Sequence, residues 1–250
     1  DTQVTSSDAV TLASGRSDFF GDAAASDRPV APVLDALRQV GVQVEGRALP
    51  FSVVGTGSVP GGTAQLDASG SSQFVSGLLM AGARFDEGLT LRHVGAPIPS
   101  RPYIGMTARM LRDRGVDIDT PDPDTWIVRP GTLSPKDEAI ELDLVNAAVF
   151  LCAGLVTGGS VTVAWPEHTV QHGEEILAAL EAFGATITRA PGTVTVSGTV
   201  QSADIDLADA AELTCVLASV SCLADGPSRR VASATSAAMK QTGSRRWRPS

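Results

Sequence analysis

The chain has 250 residues, of which 43% are hydrophobic and 4% aromatic, and its formal net charge is −9. This hydrophobic content suffices for one or two packed domains and excludes a wholly disordered protein. No apolar run reaches the length of a membrane span, and an acidic protein repels nucleic acid, so neither a membrane nor a nucleic acid is an expected partner. Three cysteines without metal or disulfide spacing favour a reducing, cytoplasmic location.

A helix that ends in glycine and continues into a short strand recurs along the chain. The three copies lie at residues 34–44, 110–119 and 179–188. Each helical pattern ends at a glycine, namely Gly41, Gly115 or Gly184. Glycine suits the left-handed backbone of a helix C-cap because it has no Cβ. The spacing therefore predicts a capped helix followed by a strand in each copy.

A second repeat lies out of phase with the first. Residues 66–82 and 142–159 both begin with Leu-Asp and continue into an apolar helical pattern that contains a phenylalanine, and residues 205–226 resemble them. A strand pattern follows the first two copies, at 88–94 and 159–165. The period of roughly 60–75 residues predicts β-α-β-α-β units and an α/β fold class.

Residues 130–140 concentrate turn-forming and charged residues and are the predicted domain boundary. We expect residues 1–138 to form most of a first domain, 139–228 part of a second domain, and 229–250 a disordered tail. That tail holds six of the 19 basic residues and none of the 28 acidic ones, so the preceding 228 residues carry a net charge of −15. An anionic ligand of so acidic a body requires a local cluster of donors.

Residues 67–74, DASGSSQF, place hydroxyl and carboxamide groups where an apolar helix begins. Serine and aspartate commonly cap helices, which is one interpretation. In the other, Ser71, Ser72 and Gln73 join the positive end of the helix in a phosphate or sugar site. Residues 93–107 predict a polar, proline-stiffened turn before another helix. The residues alone leave the capping and binding interpretations open.

Two further clusters have a common structural interpretation and a rarer functional one. His168 and His172 have the spacing of one helix face, but no third ligand follows at a suitable distance, which favours two surface histidines over a metal site. Asp206, Asp209 and Glu212 are typical of a solvated helix start, and a general base is the less common interpretation.

Taken together, these segments resemble the 5-enolpyruvylshikimate-3-phosphate synthase family in its actinobacterial form. The resemblance runs from about Phe20 to Arg229 and is carried by motifs in a fixed order. The most specific are SGSSQFVSGLL at 69–79 and PSRPYIGMT at 99–107. The supporting motifs are DRPVAPVLDALRQVGV, VNAAVFL, TVQHGEEI, ELTCVLA and ADGPSR.

The resemblance implies the enolpyruvyl transferase fold, with repeated β-α-β-α-β-β units in two domains, incomplete here at both ends. It implies transfer of the enolpyruvyl group of phosphoenolpyruvate to the 5-hydroxyl of shikimate 3-phosphate, within the shikimate pathway of aromatic amino acid biosynthesis. It further implies a monomer that needs no metal or organic cofactor. The residue roles that it implies are shikimate 3-phosphate binding by Ser71, Ser72, Gln73 and Ser100, phosphoenolpyruvate binding by Arg28, and general-base catalysis by Glu212.

The sequence departs from the family at several places. Leu142 and Val145 replace its usual Pro and Ser, and Cys215 replaces its Pro. The phosphoenolpyruvate loop near the start and a His-Glu-Thr-Asp-Arg motif near the end are not found. If the codons for residues 238–243 are read one nucleotide early, the genetic code allows them to encode that motif. We therefore expect a chain truncated at the front, out of frame from about codon 229, and weakly active or inactive.

Two other functions remain open at this point. The basic segment 229–250 is typical of an arm that binds nucleic acid or an acidic partner, in which case the chain is not an enzyme. In the other function, the chain is a related enolpyruvyl transferase that acts on a nucleotide sugar. That reaction requires a catalytic cysteine on a mobile loop.

Overall fold

The structure, a computed structural model, describes residues 10–207 and 211–231. The chain divides into two compact units, unit 1 of residues 1–137 and unit 2 of residues 138–250. The turn-rich segment 130–140 lies at this division, and its residues form neither helix nor strand. Each unit has a separate cluster of buried apolar side chains. The predicted α/β class is confirmed.

Unit 1 contains two sheets. Its strands are β1 (Ser14–Phe19), β2 (Gln43–Glu45), β3 (Phe51–Thr56), β4 (Gly62–Leu66), β5 (Leu89–His93), β6 (Ile118–Asp122) and β7 (Thr125–Val128). The first sheet is antiparallel, in the order β1-β3-β2. The second has the order β4-β5-β7-β6, and in it β4 and β5 are parallel while the other pairs are antiparallel.

The helices of unit 1 pack their apolar faces into its core. They are α1 (Ala23–Ser26), α2 (Ala31–Gln39), α3 (Gln73–Gly82) and α4 (Pro102–Arg112). Helix α2 buries Val33, Leu34 and Leu37, which recur at the spacing of one helix face. Phe85 is buried among these helices and the second sheet.

The predicted glycine caps are confirmed. Gly41 has φ +92°, and the N–H of the next residue, Val42, donates to the carbonyl of Leu37 at 3.0 Å. Gly115 has φ +84°, and Gly184 has φ +91°. This left-handed step satisfies carbonyls at the end of a helix and turns the chain toward the next strand. It is also why the repeat could be identified from the sequence.

Unit 2 has a smaller set of elements. They are α5 (Leu144–Val156), β8 (Ser160–Ala164), α6 (Gly173–Ala182), β9 (Ala185–Ala190), β10 (Thr193–Gly198), β11 (Asp204–Asp206), a 3₁₀ helix (Ala211–Leu213), α7 (Thr214–Ser221) and β12 (Arg229–Val231). Strands β8, β10 and β9 form an antiparallel sheet in that order. Strand β12 pairs with β11 in parallel.

Only the beginning of the predicted tail lies within the described residues. Residues 229–231 form β12, and residues 232–250 lie outside them. Across the part of the chain that the structure describes, no helix is long and apolar enough to cross a membrane.

Candidate functional site

In unit 1, two polar loops leave the sheet side by side. Strands β4 and β5 are parallel and in register, so that Leu66 at the end of β4 is opposite His93 at the end of β5. The loop 67–72 leads from β4 to α3, and the loop 94–101 leads from β5 to α4. Parallel strands place their carboxyl ends at one edge of a sheet, where α/β folds commonly bind ligands. We call these two segments the paired loops.

The first of the paired loops carries three of the predicted binding residues into the start of α3. The hydroxyl of Ser71 accepts a hydrogen bond from the N–H of Gln73 at 3.2 Å. Ser72 is buried, whereas the side chain of Gln73 is exposed. The Ser71 contact satisfies the first helical N–H from outside the helix, whereas the N-cap residue Ser72 makes no side-chain capping hydrogen bond.

The second of the paired loops places Ser100 two residues before α4. Ile98 anchors this loop in the core with 6% of its surface exposed. Ser100 has φ +49°, which puts a non-glycine residue in the left-handed region. Such a backbone is costly for most residues and often occurs at binding sites. Pro102 then begins α4, and the N–H of Tyr103 donates to the Ser100 carbonyl at 3.2 Å.

Direct contacts hold the paired loops together. The Ser69 hydroxyl donates to the carbonyl of Ala96 at 2.9 Å, and the Asp67 carboxylate accepts the Ser69 N–H at 3.0 Å. Hydrogen bonding by Ser69 holds the pKa of Asp67 below its ordinary value. A Cβ built on Gly95, which has φ +135°, would lie 2.6 Å from Asp67 Oδ1. Only glycine permits this close approach.

The helices that follow the paired loops are joined as well. Thr107 on α4 donates from its hydroxyl to the Ser76 hydroxyl on α3 at 3.0 Å. Arg101, next to Ser100, pairs with Asp124 at 3.1 Å and lies 5.9 Å from the centre of the Trp126 ring. These contacts fix the second loop to α3 on one side and to the β6–β7 turn on the other.

Arg28 lies on the exposed turn between α1 and α2. The next residue, Pro29, adjoins the first of the paired loops, because its Cγ would be 4.0 Å from a Cβ built on Gly70. Unit 1 therefore brings the backbone at Arg28 toward the loop that carries Ser71 and Ser72.

In unit 2, Glu212 lies on the 3₁₀ helix beside a buried histidine. Its Oε1 is 3.4 Å from Nε2 of His172, and Oε1 of Glu175 is 3.9 Å from Nδ1 of the same ring. The prediction of two surface histidines is wrong for His172, whose side chain is only 3% exposed. The shared helix face is also wrong, because α6 begins at Gly173 and His168 precedes it.

A glutamine side chain fixes the segment that holds His172. Gln171 Nε2 donates to Glu141 Oε1 at 2.8 Å and to the Leu142 carbonyl at 2.9 Å, and its Oε1 accepts the Leu144 N–H at 2.8 Å. Thr169 donates to the same Glu141 carboxylate at 2.9 Å. Hydrogen bonds of the Gln171 side chain therefore connect the start of α5 with the segment before α6.

Two members of the predicted carboxylate cluster lie on different elements. Asp206 ends strand β11, Glu212 lies on the 3₁₀ helix, and Asp209 falls outside the described residues. Within residues 10–207 and 211–231, no group of three or more histidine, cysteine, aspartate or glutamate side chains is placed to hold a metal ion.

The chemistry of the two units differs. The paired loops offer hydroxyl, carboxamide and backbone donors, which suit a phosphate or a polyol. Glu212 offers a carboxylate next to an imidazole, which suits acceptance of a proton. From the sequence we predicted neither a role for His93 nor a contact between His172 and Glu212. The pairing of β4 with β5 would have indicated His93, whereas the contact of His172 with Glu212 joins residues far apart in the chain.

Comparisons with known proteins agree with one another. The family model of EPSP synthase (3-phosphoshikimate 1-carboxyvinyltransferase) matches residues 7–243. The 3-phosphoshikimate 1-carboxyvinyltransferase of Mycobacterium ulcerans (strain Agy99) is 50% identical over 209 residues, which cover 82% of this chain and 48% of that protein. The protein of the same name from Kocuria rhizophila is 51% identical over 226 residues, which cover 87% of this chain and 51% of that one. The chain thus spans about half the length of the curated relatives it matches.

Solved structures share the fold at lower identity. An EPSP synthase from Acinetobacter baumannii has a TM-score of 0.68 and 22% identity, with 92% of this chain and 54% of that chain covered. The enolpyruvyl transferase NikO from Streptomyces tendae has a TM-score of 0.65 and 19% identity, with 90% and 55% covered. These likenesses confirm the predicted enolpyruvyl transferase fold.

Proposed function

Because the chain belongs to the EPSP synthase family, we propose that it serves the transfer of the enolpyruvyl group of phosphoenolpyruvate to the 5-hydroxyl of shikimate 3-phosphate. The observation that carries this proposal is the pair of joined loops in unit 1, which bring two separate family motifs, 69–79 and 99–107, to the carboxyl ends of adjacent strands. Two relatives about 50% identical, both named 3-phosphoshikimate 1-carboxyvinyltransferase, support it.

In this proposal the paired loops bind shikimate 3-phosphate. The Ser71, Ser72 and Ser100 hydroxyls and the Gln73 carboxamide supply donors to the phosphate and acceptors to the ring hydroxyls. A phosphate gains most from donors that are already oriented, since an acidic protein offers it no general attraction. The hydrogen bonds that fix the loops before the ligand arrives reduce the entropy lost on binding.

Arg28 and Glu212 serve the transfer itself in this proposal. A guanidinium at Arg28 neutralises charge on phosphoenolpyruvate. As the 5-hydroxyl oxygen bonds to the enolpyruvyl carbon, its proton passes to a base, for which we propose the Glu212 carboxylate. The carbon–carbon double bond takes up a proton at its terminal carbon as the oxygen adds. Loss of a proton from that terminal carbon, with cleavage of the bond from the attacked carbon to the phosphate oxygen, then restores the double bond and releases inorganic phosphate. We further propose that the chain acts in the cytoplasm as a monomer and without a cofactor.

Binding of shikimate 3-phosphate to the full chain tests the proposal most directly, because the residues assigned to this ligand all belong to unit 1. Calorimetry with the unaltered chain is expected to show one binding site. Gln73→Ala is expected to weaken binding about tenfold, since a hydrogen bond to a charged group contributes about 1.5–3 kcal/mol.

A matched control is Gln43→Ala, which removes the same side chain from the exposed face of β2. Its affinity is expected to equal that of the unaltered chain. A folded chain that releases no heat with shikimate 3-phosphate, or a Gln73→Ala variant that binds as tightly as the control, would refute the assignment.

The two other functions raised by the sequence gain no support. The basic segment that suggested a nucleic-acid or acidic partner lies almost wholly outside the described residues. A transferase that acts on a nucleotide sugar is not favoured, since the two curated relatives are named for 3-phosphoshikimate. Titration with a uridine-diphosphate sugar distinguishes it from the proposed ligand.

A further inference from the structure

We propose that His93 is a positioning residue that joins the paired loops and makes shikimate 3-phosphate binding sensitive to protons. This inference rests on the function proposed above for its ligand, but the contacts themselves do not. His93 is the last residue of β5, at the base of the second loop, and its ring reaches across to the first.

Both ring nitrogens of His93 contact backbone atoms of the paired loops. Nδ1 lies 3.2 Å from the backbone nitrogen of Ala68, in the first loop. Nε2 lies 2.9 Å from the carbonyl oxygen of Ala96, in the second loop. The N–H of Ala68 needs an acceptor, and the carbonyl of Ala96, which also accepts the Ser69 hydroxyl, can only accept. We therefore assign the neutral tautomer with its proton on Nε2, which is the form that satisfies both groups.

Protonation of this ring removes one of the two contacts. An imidazolium carries a proton on Nδ1 as well, so Nδ1 no longer accepts the Ala68 N–H. The carbonyl of Leu66 lies 3.3 Å from Nδ1 and is the acceptor toward which the new N–H would turn. That carbonyl already accepts the Val94 N–H at 3.0 Å, in the parallel pairing of β4 with β5.

The charged groups near the ring come from the first loop, the β6–β7 turn, the second loop and β5. Asp67, on the first loop, is near enough for the charge of His93 to favour its ionised form. Asp124, on the β6–β7 turn, accepts the backbone N–H of His93 through its carbonyl at 2.8 Å, and its carboxylate pairs with Arg101 of the second loop. Arg92 is the preceding residue and is exposed. Acidification also titrates Asp67, so His93 variants must separate the two.

The backbone of Ala68 connects the His93 contact with the proposed binding residues. Its carbonyl accepts the N–H of Ser71 at 3.1 Å, so that Ala68 and Ser71 form one tight turn. The Ser71 hydroxyl in turn accepts the Gln73 N–H. Loss of the His93 contact at Ala68 therefore loosens the turn that orients Ser71, Ser72 and Gln73.

The first experiment does not depend on any ligand. Nitrogen-15 NMR of the histidine rings in the full chain, at neutral pH, is expected to show His93 with a bare Nδ1 and a protonated Nε2. His93→Phe identifies the signal, and it is expected to speed hydrogen exchange at the Ala68 amide. A ring protonated on Nδ1, or unchanged exchange at Ala68, would overturn the inference whether or not the chain binds shikimate 3-phosphate.

The second experiment measures shikimate 3-phosphate binding by calorimetry. His93→Phe removes both contacts and is expected to weaken binding about tenfold, which equals the loss of about 1.4 kcal/mol. His93→Asn retains an acceptor within reach of Ala68 and is expected to recover affinity to within about threefold of the unaltered chain. His168→Phe, at an exposed position of unit 2, is the matched control and is expected to have no effect.

The proton dependence separates positioning from a purely structural role. Between pH 7 and pH 5 the unaltered chain is expected to lose about fivefold more affinity than His93→Asn, because only its ring can gain a proton at Nδ1 and so lose the Ala68 contact. Titration of the ligand's phosphate is common to both proteins and cancels in the ratio. Asp67→Asn, introduced into both proteins, removes the contribution of Asp67, whose pKa depends on His93. Equal pH profiles, or equal affinity in His93→Phe, would overturn the inference. A folded chain that fails to bind refutes the proposed function instead.

Discussion

Unit 1 and unit 2 form their polar sites in different ways. In unit 1 the paired loops start at adjacent strand ends, and their contacts are short hydrogen bonds between neutral groups and backbone. In unit 2 a buried histidine lies between two carboxylates, and a glutamine side chain fixes the segment that carries it. The first arrangement suits recognition of a ligand and the second suits proton transfer. A single repeated fold thus presents two kinds of polar site, because loops and the first turns of helices supply different polar groups in the two units.

The largest expected effect tests whether ligand binding belongs to unit 1 alone. Phe183 is fully buried in the core of unit 2, so Phe183→Ala is expected to destabilise that unit by about 3–5 kcal/mol. Hydrogen exchange should show this loss in unit 2, while calorimetry should find shikimate 3-phosphate affinity within about twofold. The control is Phe150→Ala, which truncates a side chain on α5 that is 64% exposed. Equal loss of binding and of unit 2 protection would contradict the comparison.

The next effect concerns the cysteines of unit 2. Burial raises the pKa of the Cys152 thiol to about 11, whereas Cys215 and Cys222 are exposed. The thiolate is the reactive form, so alkylation of Cys152 at neutral pH is expected to be at least about 100-fold slower than that of the other two. Peptide mass spectrometry of the chain after brief iodoacetamide treatment measures the three rates. Rapid labelling of Cys152 would show that α5 does not pack as described.

A smaller effect is expected at the glutamine that locks unit 2. Gln171→Ala removes three hydrogen bonds to segment 141–144, each of which contributes about 1 kcal/mol at most sites. We expect the free energy of unfolding of unit 2 to fall by about 2 kcal/mol, as measured by urea denaturation. Gln201→Ala, at an exposed position of the same unit, should change it by less than about 0.5 kcal/mol. A similar loss in both variants would refute the specific role of Gln171.

The smallest expected effect is at an ion pair on the surface of unit 2. The Arg189 guanidinium donates to both Glu174 oxygens, at 2.8 and 2.6 Å, and these bonds hold the pKa of Glu174 below its ordinary value. A lowered folded-state pKa stabilises the fold above the unfolded-state pKa, and this contribution is lost as pH falls through the folded value. Glu174→Gln should therefore cost less than about 1 kcal/mol at pH 7, and nothing in strong acid.

Denaturation of Glu174→Gln at pH 7 and in acid, with and without added salt, measures that dependence. Glu167→Gln is the matched control, since it removes an exposed carboxylate before α6. A cost that persists in acid would show that the side chain contributes by packing and not by its charge.

Much of the fold could be predicted from local signals. Gly41, Gly115 and Gly184 each end a helix in the left-handed conformation, as their sequence spacing predicted. The apolar helical patterns at 66–82 and 142–159 became α3 and α5, with shorter bounds. Such signals depend on the conformational preferences of single residues and on helical periodicity, and both are legible in a single sequence.

The arrangement of the side chains in the two sites could be predicted less well from the sequence. The sequence placed His172 on the surface, yet its ring is buried against Glu212, 40 positions away. No local pattern indicates such a contact, because a histidine is compatible with both environments. Likewise, the contacts of His93 follow from the pairing of β4 with β5, and strand pairing is a long-range property. The roles proposed for Ser71, Ser72, Gln73, Ser100, Arg28 and Glu212 remain predictions.

The left-handed backbone of Ser100 opposes the stability of the fold to the ligand binding that we propose for its hydroxyl group. Glycine and asparagine adopt this conformation at the least cost, but neither carries a hydroxyl group. Selection for folding stability would therefore replace serine at this position, whereas selection for the proposed ligand binding would retain it. Among descendants of this chain, the residue at position 100 would record which of the two pressures has been stronger.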